Sequence, residues 1–315
     1  MRGGHEGTTC YICMEAVHWK TKEVLVRGCA CGDRDGVASG STGIAHVSCL
    51  AEQAKILIAE VMEDNLSVKM MNARWARWDN CSLCEQEYHG VVRCALGWAC
   101  WKTFVGRPET DQLRSMAVGQ LGSGLCAAEH HEAALSVREA ELSMMQRIGD
   151  SEYNILVGQG NLAGTYRMLG QDAQALQILR DVYSGYVKLC GEESRDTLLA
   201  ANNYAVILND LNRFEEAKGV LRKEMPVARR VLGNNVELTL VMRRIYAQAL
   251  GMDDCATLDD LRESVVTLEE IAPTAQRVLG GAHPTVVGIE QDLRRSRAAL
   301  RARETPPPGS LQESP

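Results

Sequence analysis

The chain has 315 residues, of which 45% are hydrophobic and 24% charged, with 34 Lys and Arg against 41 Asp and Glu. That length fits about two domains, and the apolar content excludes a wholly disordered chain. A net charge of -7 argues against a general nucleic-acid or anionic-membrane binder, because both need a strongly basic surface.

No apolar run is long enough to span a bilayer, and Met1-Arg-Gly-Gly-His-Glu-Gly-Thr-Thr lacks the apolar core of a signal peptide. The expected location is therefore intracellular and cytoplasmic, where the twelve cysteines are not expected to form disulfides. The predicted organisation is a disordered stretch over 1–9, a zinc-binding domain over 10–90, a junction over 91–110, a helical solenoid over 111–303 and a disordered tail over 304–315. The predicted class is mainly α.

Four ordered pairs of soft or borderline donors open the chain: Cys10-Tyr-Ile-Cys13, Cys29-Ala-Cys31, His46-Val-Ser-Cys49 and Cys81-Ser-Leu-Cys84. Short spacings let one tight turn present two side chains to one ion, and eight donors satisfy two tetrahedral zinc ions. Buried free thiols would have no reason to pair. The order and spacing resemble the RING-CH zinc finger, down to the single residue between Cys29 and Cys31, where PHD fingers usually have two. The resemblance implies an interleaved arrangement, with Cys10, Cys13, His46 and Cys49 on one zinc and Cys29, Cys31, Cys81 and Cys84 on the other. It also implies a possible role in ubiquitin ligation, in which such domains position a conjugating enzyme without a catalytic side chain of their own. Ile12, between the first two ligands, suits one conjugating-enzyme contact. Gln53 stands where family members often carry Trp, and Glu85 follows Cys84 where a basic residue often lies.

Between Cys49 and Cys81 the gap is longer than the family's. An amphipathic helix is expected there, with Leu50, Ala54, Leu57, Ile58 and Val61 on one face. A second stripe of Val68, Met71, Trp75 and Trp78 reads as packing against the zinc core, with a docking surface as the alternative. In the junction, Trp98, Trp101 and Phe104 are expected to pack the zinc module against the first repeat helix. His89, Cys94 and Cys100 are too few and too irregular for a third metal site. His5 and His18 are expected to be solvated.

From residue 111 onward the sequence is periodic. Gly149, Gly191 and Gly233 are 42 residues apart, and the same step links Ala133, Ala175 and Ala217, then Arg138, Arg180 and Arg222, and Asn161 with Asn203. A fourth unit ends at Gly280, 47 residues after Gly233. Each unit reads as two antiparallel helices, and helix pairs that cannot bury their apolar faces alone must stack. Gly170, Asn212 and Gly251 are placed in the inter-helix turns. Pro226 and Pro273 fall inside second helices and are expected to kink them. A last helix, roughly Thr285 to Arg301, is expected to cap the array.

Asn161-Leu-Ala-Gly-Thr-Tyr, Asn202-Asn-Tyr-Ala, Leu211-Asn-Arg-Phe-Glu-Glu-Ala and Gly281-Ala-His-Pro-Thr resemble the tetratricopeptide repeats of kinesin light chains, whose period also exceeds the common repeat of about 34 residues. The resemblance implies a face built from first helices that grips an extended protein or peptide partner. By position it implicates Asn161, Asn202 and Asn203, unless Asn161 and Asn203 instead satisfy inter-helix backbone groups. The combined reading is an adaptor with two bound zinc ions, a partner on the repeats and a conjugating enzyme as a possible second partner. The alternatives are a non-catalytic scaffold with a structural zinc domain and a PHD-like histone-tail reader. No P-loop, GxSxG or HExxH pattern is present.

Overall fold

A computed structural model of the chain describes residues 8–29, 43–64, 67–281 and 283–304. His5, Cys31 and the tail after Glu304 lie outside the described residues. The chain divides into two compact units, Met1–Leu169 and Gly170–Pro315.

The first unit begins with tight turns and a two-residue antiparallel ladder, β1 (Val26–Arg27) and β2 (Ile44–Ala45). Six helices follow: α1 (Val47–Glu63), α2 (Val68–Trp75), α3 (Gly90–Phe104), α4 (Gln112–Ala127), α5 (His131–Ile148) and α6 (Glu152–Met168). Side-chain caps mark several starts. Ser67 accepts the Met70 N–H, Asp111 the Leu113 N–H and Ser151 the Asn154 N–H, each relieving an unsatisfied first-turn donor. The predicted stripe on α1 is observed, with Leu50, Ala54, Ile58 and Val61 buried. Trp75 and Trp78 are buried with Ala54, Ile58, Phe104, Leu113 and Ala117. The second stripe therefore packs against α1, α3 and α4 rather than on the expected zinc-binding core around the cysteines, while Val68 is 75% exposed.

Helix α3 is the strut of this unit. Its first half (Val92, Leu96) joins the core around the cysteines, and Phe104 at its end joins the core around the two tryptophans. A Cβ on Gly97 would lie 2.8 Å from the Gln120 carbonyl oxygen, and one on Gly124 2.8 Å from that of Arg93. Helices α3 and α4 therefore meet backbone to backbone, which only small residues permit. Of the three predicted junction aromatics, Phe104 is buried and Trp101 partly so, but Trp98 remains 43% exposed.

The second unit holds α7 (Asp172–Cys190), α8 (Arg195–Asp210), α9 (Phe214–Val231), α10 (Glu237–Gly251), α11 (Leu258–Leu279) and α12 (Pro284–Glu304). Each helix packs on the next, and α10 also meets α8 and α12, the stacking expected of helix-pair repeats. One core joins Leu198, Leu208, Leu221, Met242 and Leu250; another joins Leu240, Leu268, Ile271 and Ile289. Helices α9 and α11 run on through Pro226 and Pro273. Gly170 and Asn212 are left-handed at φ 70° and 56°, as the turns require. Gly251 is not left-handed; it ends α10, where a Cβ would crowd the Ser296 and Ser264 hydroxyls at 2.9 and 3.0 Å.

The repeat register slips in its first unit. The buried stripe of α7 is Ala175, Leu179, Val182 and Tyr186, and that of α9 includes Ala217, Leu221, Glu224 and Ala228, 42 residues on. In α5 the equivalent stripe is Ala134, Arg138, Glu141 and Met145, only 41 residues before that of α7. Ala133 is exposed, and Arg138 is buried whereas Arg180 and Arg222 are exposed. The predicted alanine and arginine series thus fail structurally at their first members. The turn residue follows the shorter step: Glu129 takes the left-handed position (φ 62°) that Gly170 takes next.

Candidate metal centre

Two turns in the first unit have one geometry. Cys10 N–H donates to Glu15 O at 3.0 Å and Met14 N–H to Cys10 O at 2.9 Å; Cys81 N–H donates to Gln86 O and Glu85 N–H to Cys81 O, both at 2.9 Å. In each, the residue after the second cysteine is left-handed, Met14 at φ 62° and Glu85 at 58°. In each, the backbone N–H two residues after the first cysteine, of Ile12 or of Leu83, points at that cysteine's sulfur from 3.4 Å. Such N–H donors favour a thiolate over a thiol. The Tyr11 and Ser82 hydroxyls, 3.2 Å apart, tie the two turns together.

His46 stands at the N-cap of α1 and Cys49 lies in its first turn, a spacing that turns both toward the Cys10–Cys13 loop. The four donor atoms of Cys10, Cys13, His46 and Cys49 lie within 4.8 Å of one another. His46 is fully buried, and its Nδ1 is 3.4 Å from Cys13 Sγ and 3.7 Å from Cys49 Sγ. A tetrahedral zinc with ordinary Zn–S and Zn–N lengths sets that S···N edge at about 3.6 Å, so these donors fit the ion. Cys29, Cys81 and Cys84 form a second group with the same 4.8 Å limit; their predicted companion, Cys31, lies outside the described residues.

Burial and neighbouring groups move two thiols of this cluster in opposite directions. Burial opposes ionisation of Cys10, but N–H donors from Cys13, Ile12 and His46 bring its thiol down to about 7. Burial, with the Cys13 and Cys10 sulfurs beside it, pushes Cys49 up to about 12. Ionising Cys49 beside these sulfurs would need a compensating positive charge.

A third turn copies the pattern without thiols. His18 N–H donates to Glu23 O at 3.0 Å, Lys22 N–H to His18 O at 2.9 Å, and Lys22 is left-handed at φ 60°. Thr21 N–H points at His18 Nδ1 from 3.1 Å, as Ile12 N–H points at Cys10 Sγ. His18 is not solvated as expected but half-buried, its ring centroid 5.3 Å from that of His46. Trp19 projects from the turn, 70% exposed. A groove of about 740 Å³ runs between Ile12, Trp19 and Lys20 on one side and Gln53 and Ile56 of α1 on the other. No cysteine or glycine marks this third turn, so spacing alone offers no signal for it.

The three predicted partner-binding asparagines differ in setting. Asn161 and Asn203 are exposed, and Asn161 lines a cleft between α4, α5 and α6. Asn202 is buried, donating to Asn203 Oδ1 at 3.5 Å. The asparagine that satisfies an inter-helix backbone group is Asn209, whose Nδ2 donates to Ile245 O at 3.0 Å. Among the described residues no helix is long and apolar enough to cross a membrane. His89, Cys94 and Cys100 do not form a metal-holding group among the described residues.

Residues 159–196 and 197–235 match the tetratricopeptide repeat family model. No curated protein matches the sequence. Among solved structures, the chain is similar to a point variant of nearly identical TPR-like repeats from Podosopora anserina, described as a kinesin light chain. That match has 16% identity and a TM-score of 0.48, and covers 74% of this chain and 98% of that one. It is also similar to BtubC (BKLC) of P. vanneervenii, at 11% identity and a TM-score of 0.44 over 85% and 95% of the two chains. The apo form of RapI matches at 11% identity and a TM-score of 0.47 over 82% and 84%. Residues 159–235 therefore carry tetratricopeptide repeats.

Proposed function

We propose that this protein is a zinc-stabilised adaptor: a folded cysteine- and histidine-rich module followed by tetratricopeptide repeats that hold a protein or peptide partner. The observation that carries the zinc part is the spacing of His46 Nδ1 from the Cys13 and Cys49 sulfurs, 3.4 and 3.7 Å, close to the edges of a tetrahedral zinc site. Cys10, Cys13, His46 and Cys49 would hold one ion. Cys29, Cys81 and Cys84, with Cys31, would hold the second. Bound zinc supplies cross-linking and charge compensation here, and the chain's residues supply the binding surfaces. Exposed Asn161 in the first unit and exposed Asn203 in the second would each offer an amide to a peptide backbone. Elemental analysis of purified protein tests the metal assignment, with two equivalents of zinc expected and about one in a His46→Ala variant. Far less than two in the parent protein refutes it.

One observation favours a second reading, ubiquitin ligation. The groove beside Ile12 presents Trp19 and Ile56, 70% and 50% exposed, and an open apolar surface of this kind marks a protein-binding site. Trp19 would supply the aromatic contact that Gln53 does not. Autoubiquitination with a panel of conjugating enzymes is the test: activity abolished by Ile12→Ala supports this reading, and silence of the zinc-loaded protein leaves the scaffold.

A further inference from the structure

The cleft between α4, α5 and α6 has a volume of about 540 Å³, and its lining contains four carboxylates (Glu109, Asp111, Glu141 and Asp150) and no lysine or arginine. Met116 and Met145 form its walls, with Ile148 and Val157. The arginines that pair with its acids stand outside the lining. Arg147 meets Glu109 at 2.7 Å, Arg107 meets Asp111 at 2.7 Å, and Arg147 and Arg114 line a neighbouring cleft beside Trp98 and Trp101, on which Glu109 and Glu141 also border. Asp150 pairs with no cation among the described residues; its Oδ1 accepts only from the Ser151 N–H and the Asn154 amide.

Glu141 is the decisive residue. It is 4% exposed, and its Oε2 accepts from Arg138 at 2.8 Å. Its Oε1 has no hydrogen-bond partner among the described residues and faces α4 at Gly119, where a Cβ would lie 3.1 Å away. In the stripe of the following repeat, the positions of Arg138 and Glu141 are held by Leu179 and Val182. An apolar pair suffices for the fold there. The first repeat instead carries a buried ion pair, and Gly119 and Gly122 leave room for it. The stripe of α9 does carry a carboxylate at this position, the fully buried Glu224, but the Tyr183 hydroxyl donates to its Oε1 at 2.6 Å. Glu141 instead keeps Oε1 at the floor of an open cleft, where a ligand's cation would meet it.

We propose that this cleft receives a lysine or arginine side chain of an extended partner peptide. The ammonium or guanidinium group meets Glu141 Oε1 and Asp150, and its aliphatic stem lies between Met116 and Met145. The proposal rests on the adaptor reading and gives that partner a charge. Thioether walls suit a flexible methylene stem, and a cation gains more from a carboxylate as buried as Glu141 than from one in open water.

The test is random-peptide phage display on immobilised, zinc-loaded full-length protein, counter-selected on a Gly119→Leu variant whose leucine fills the cleft. Peptides kept by the parent and released by the variant are expected to carry Lys or Arg. Replacing that residue with norleucine in a synthetic peptide should weaken binding about tenfold or more by fluorescence anisotropy. Glu141→Gln should weaken the basic peptide and leave its norleucine analogue unchanged, which keeps the test decisive if Gly119→Leu does not fold. Cleft-dependent peptides that are acidic or uncharged, or equal binding of the norleucine analogue, overturn the cationic preference but leave the adaptor. Absence of any peptide that distinguishes the two proteins overturns both.

Discussion

Residues 8–89 and helices α7–α12 stabilise their backbones by opposite means. In the first region, the strand ladder among the described residues amounts to two residues on each side. Its buried core includes the thiols of Cys10, Cys29, Cys49 and Cys81 themselves, so the donor groups occupy positions that side-chain hydrocarbon fills elsewhere. In the second, leucines, isoleucines and alanines at helical spacing fill the cores, and polar contacts such as Ser264 Oγ to Ala247 O at 2.8 Å are additions to a packed interior. The contrast is between a core built around clustered cysteines and a histidine and one built from periodic apolar packing.

Removing metal should break this comparison most strongly, because structural zinc contributes on the order of 10 kcal/mol in small domains. With a strong chelator present, amide hydrogen exchange is expected to lose protection in the Cys10–Glu15 and Cys81–Gln86 turns and in α1 and α3. Amides of α7–α12 should keep theirs. Uniform loss across both regions, or no loss in the turns, contradicts the assignment of separate stabilising devices.

The parts legible in the sequence are those in which one residue type does one physical task. Gly149, Gly191, Gly233 and Gly280 all take positive φ, 67° to 97°, and their spacing revealed the repeat because few other residues tolerate that conformation. The cysteine pairs were legible because their spacing announced a cluster, and the donors of Cys10, Cys13, His46 and Cys49 do lie within 4.8 Å of one another. Other features were hidden by degeneracy. The His18–Glu23 turn places Lys22 in a left-handed conformation that its identity does not announce. Trp75 and Trp78 showed a stripe, but an amphipathic pattern does not say which neighbour it meets. The single-residue slip in α5 misaligned Arg138 with Arg180, when its structural counterpart is Leu179. That slip concealed Glu141.

The slip also sharpens a second comparison, between the buried stripes of α5 and α7. Glu141 is pushed above the usual carboxylate range by burial, with Arg138 pulling it back. Glu141→Val alone strands Arg138, 4% exposed, and is expected to cost about 3–5 kcal/mol in urea unfolding, as loss of one partner of a buried pair does. The double change Arg138→Leu with Glu141→Val copies the stripe of α7 and should recover most of that loss or exceed the parent. If the double variant is as unstable as the single one, the ion pair is structural, and the two stripes differ for reasons of packing.

The smallest expected effect lies at the start of α11, where stability depends on local polar geometry even inside the apolar unit. Thr257 Oγ1 accepts the Asp260 N–H at 3.1 Å and Asp260 Oδ2 accepts the Thr257 N–H at 2.9 Å, a reciprocal cap. Thr257→Ala should cost about 1 kcal/mol, well below the effects above. Hydrogen bonds from the Thr257 side chain and backbone hold the Asp260 carboxyl below its ordinary value, against a smaller opposing effect of burial. A carboxyl lowered in the folded state binds its proton more readily when unfolded, so its contribution is complete above the unfolded value and disappears as pH falls through the lower, folded one. Thermal melts of the parent and Asp260→Asn proteins should therefore differ at neutral pH and converge in acid below the ordinary carboxylate range. A gap that widens on acidification would mean that the carboxylate does not cap α11, and that apolar packing alone sets where this helix begins.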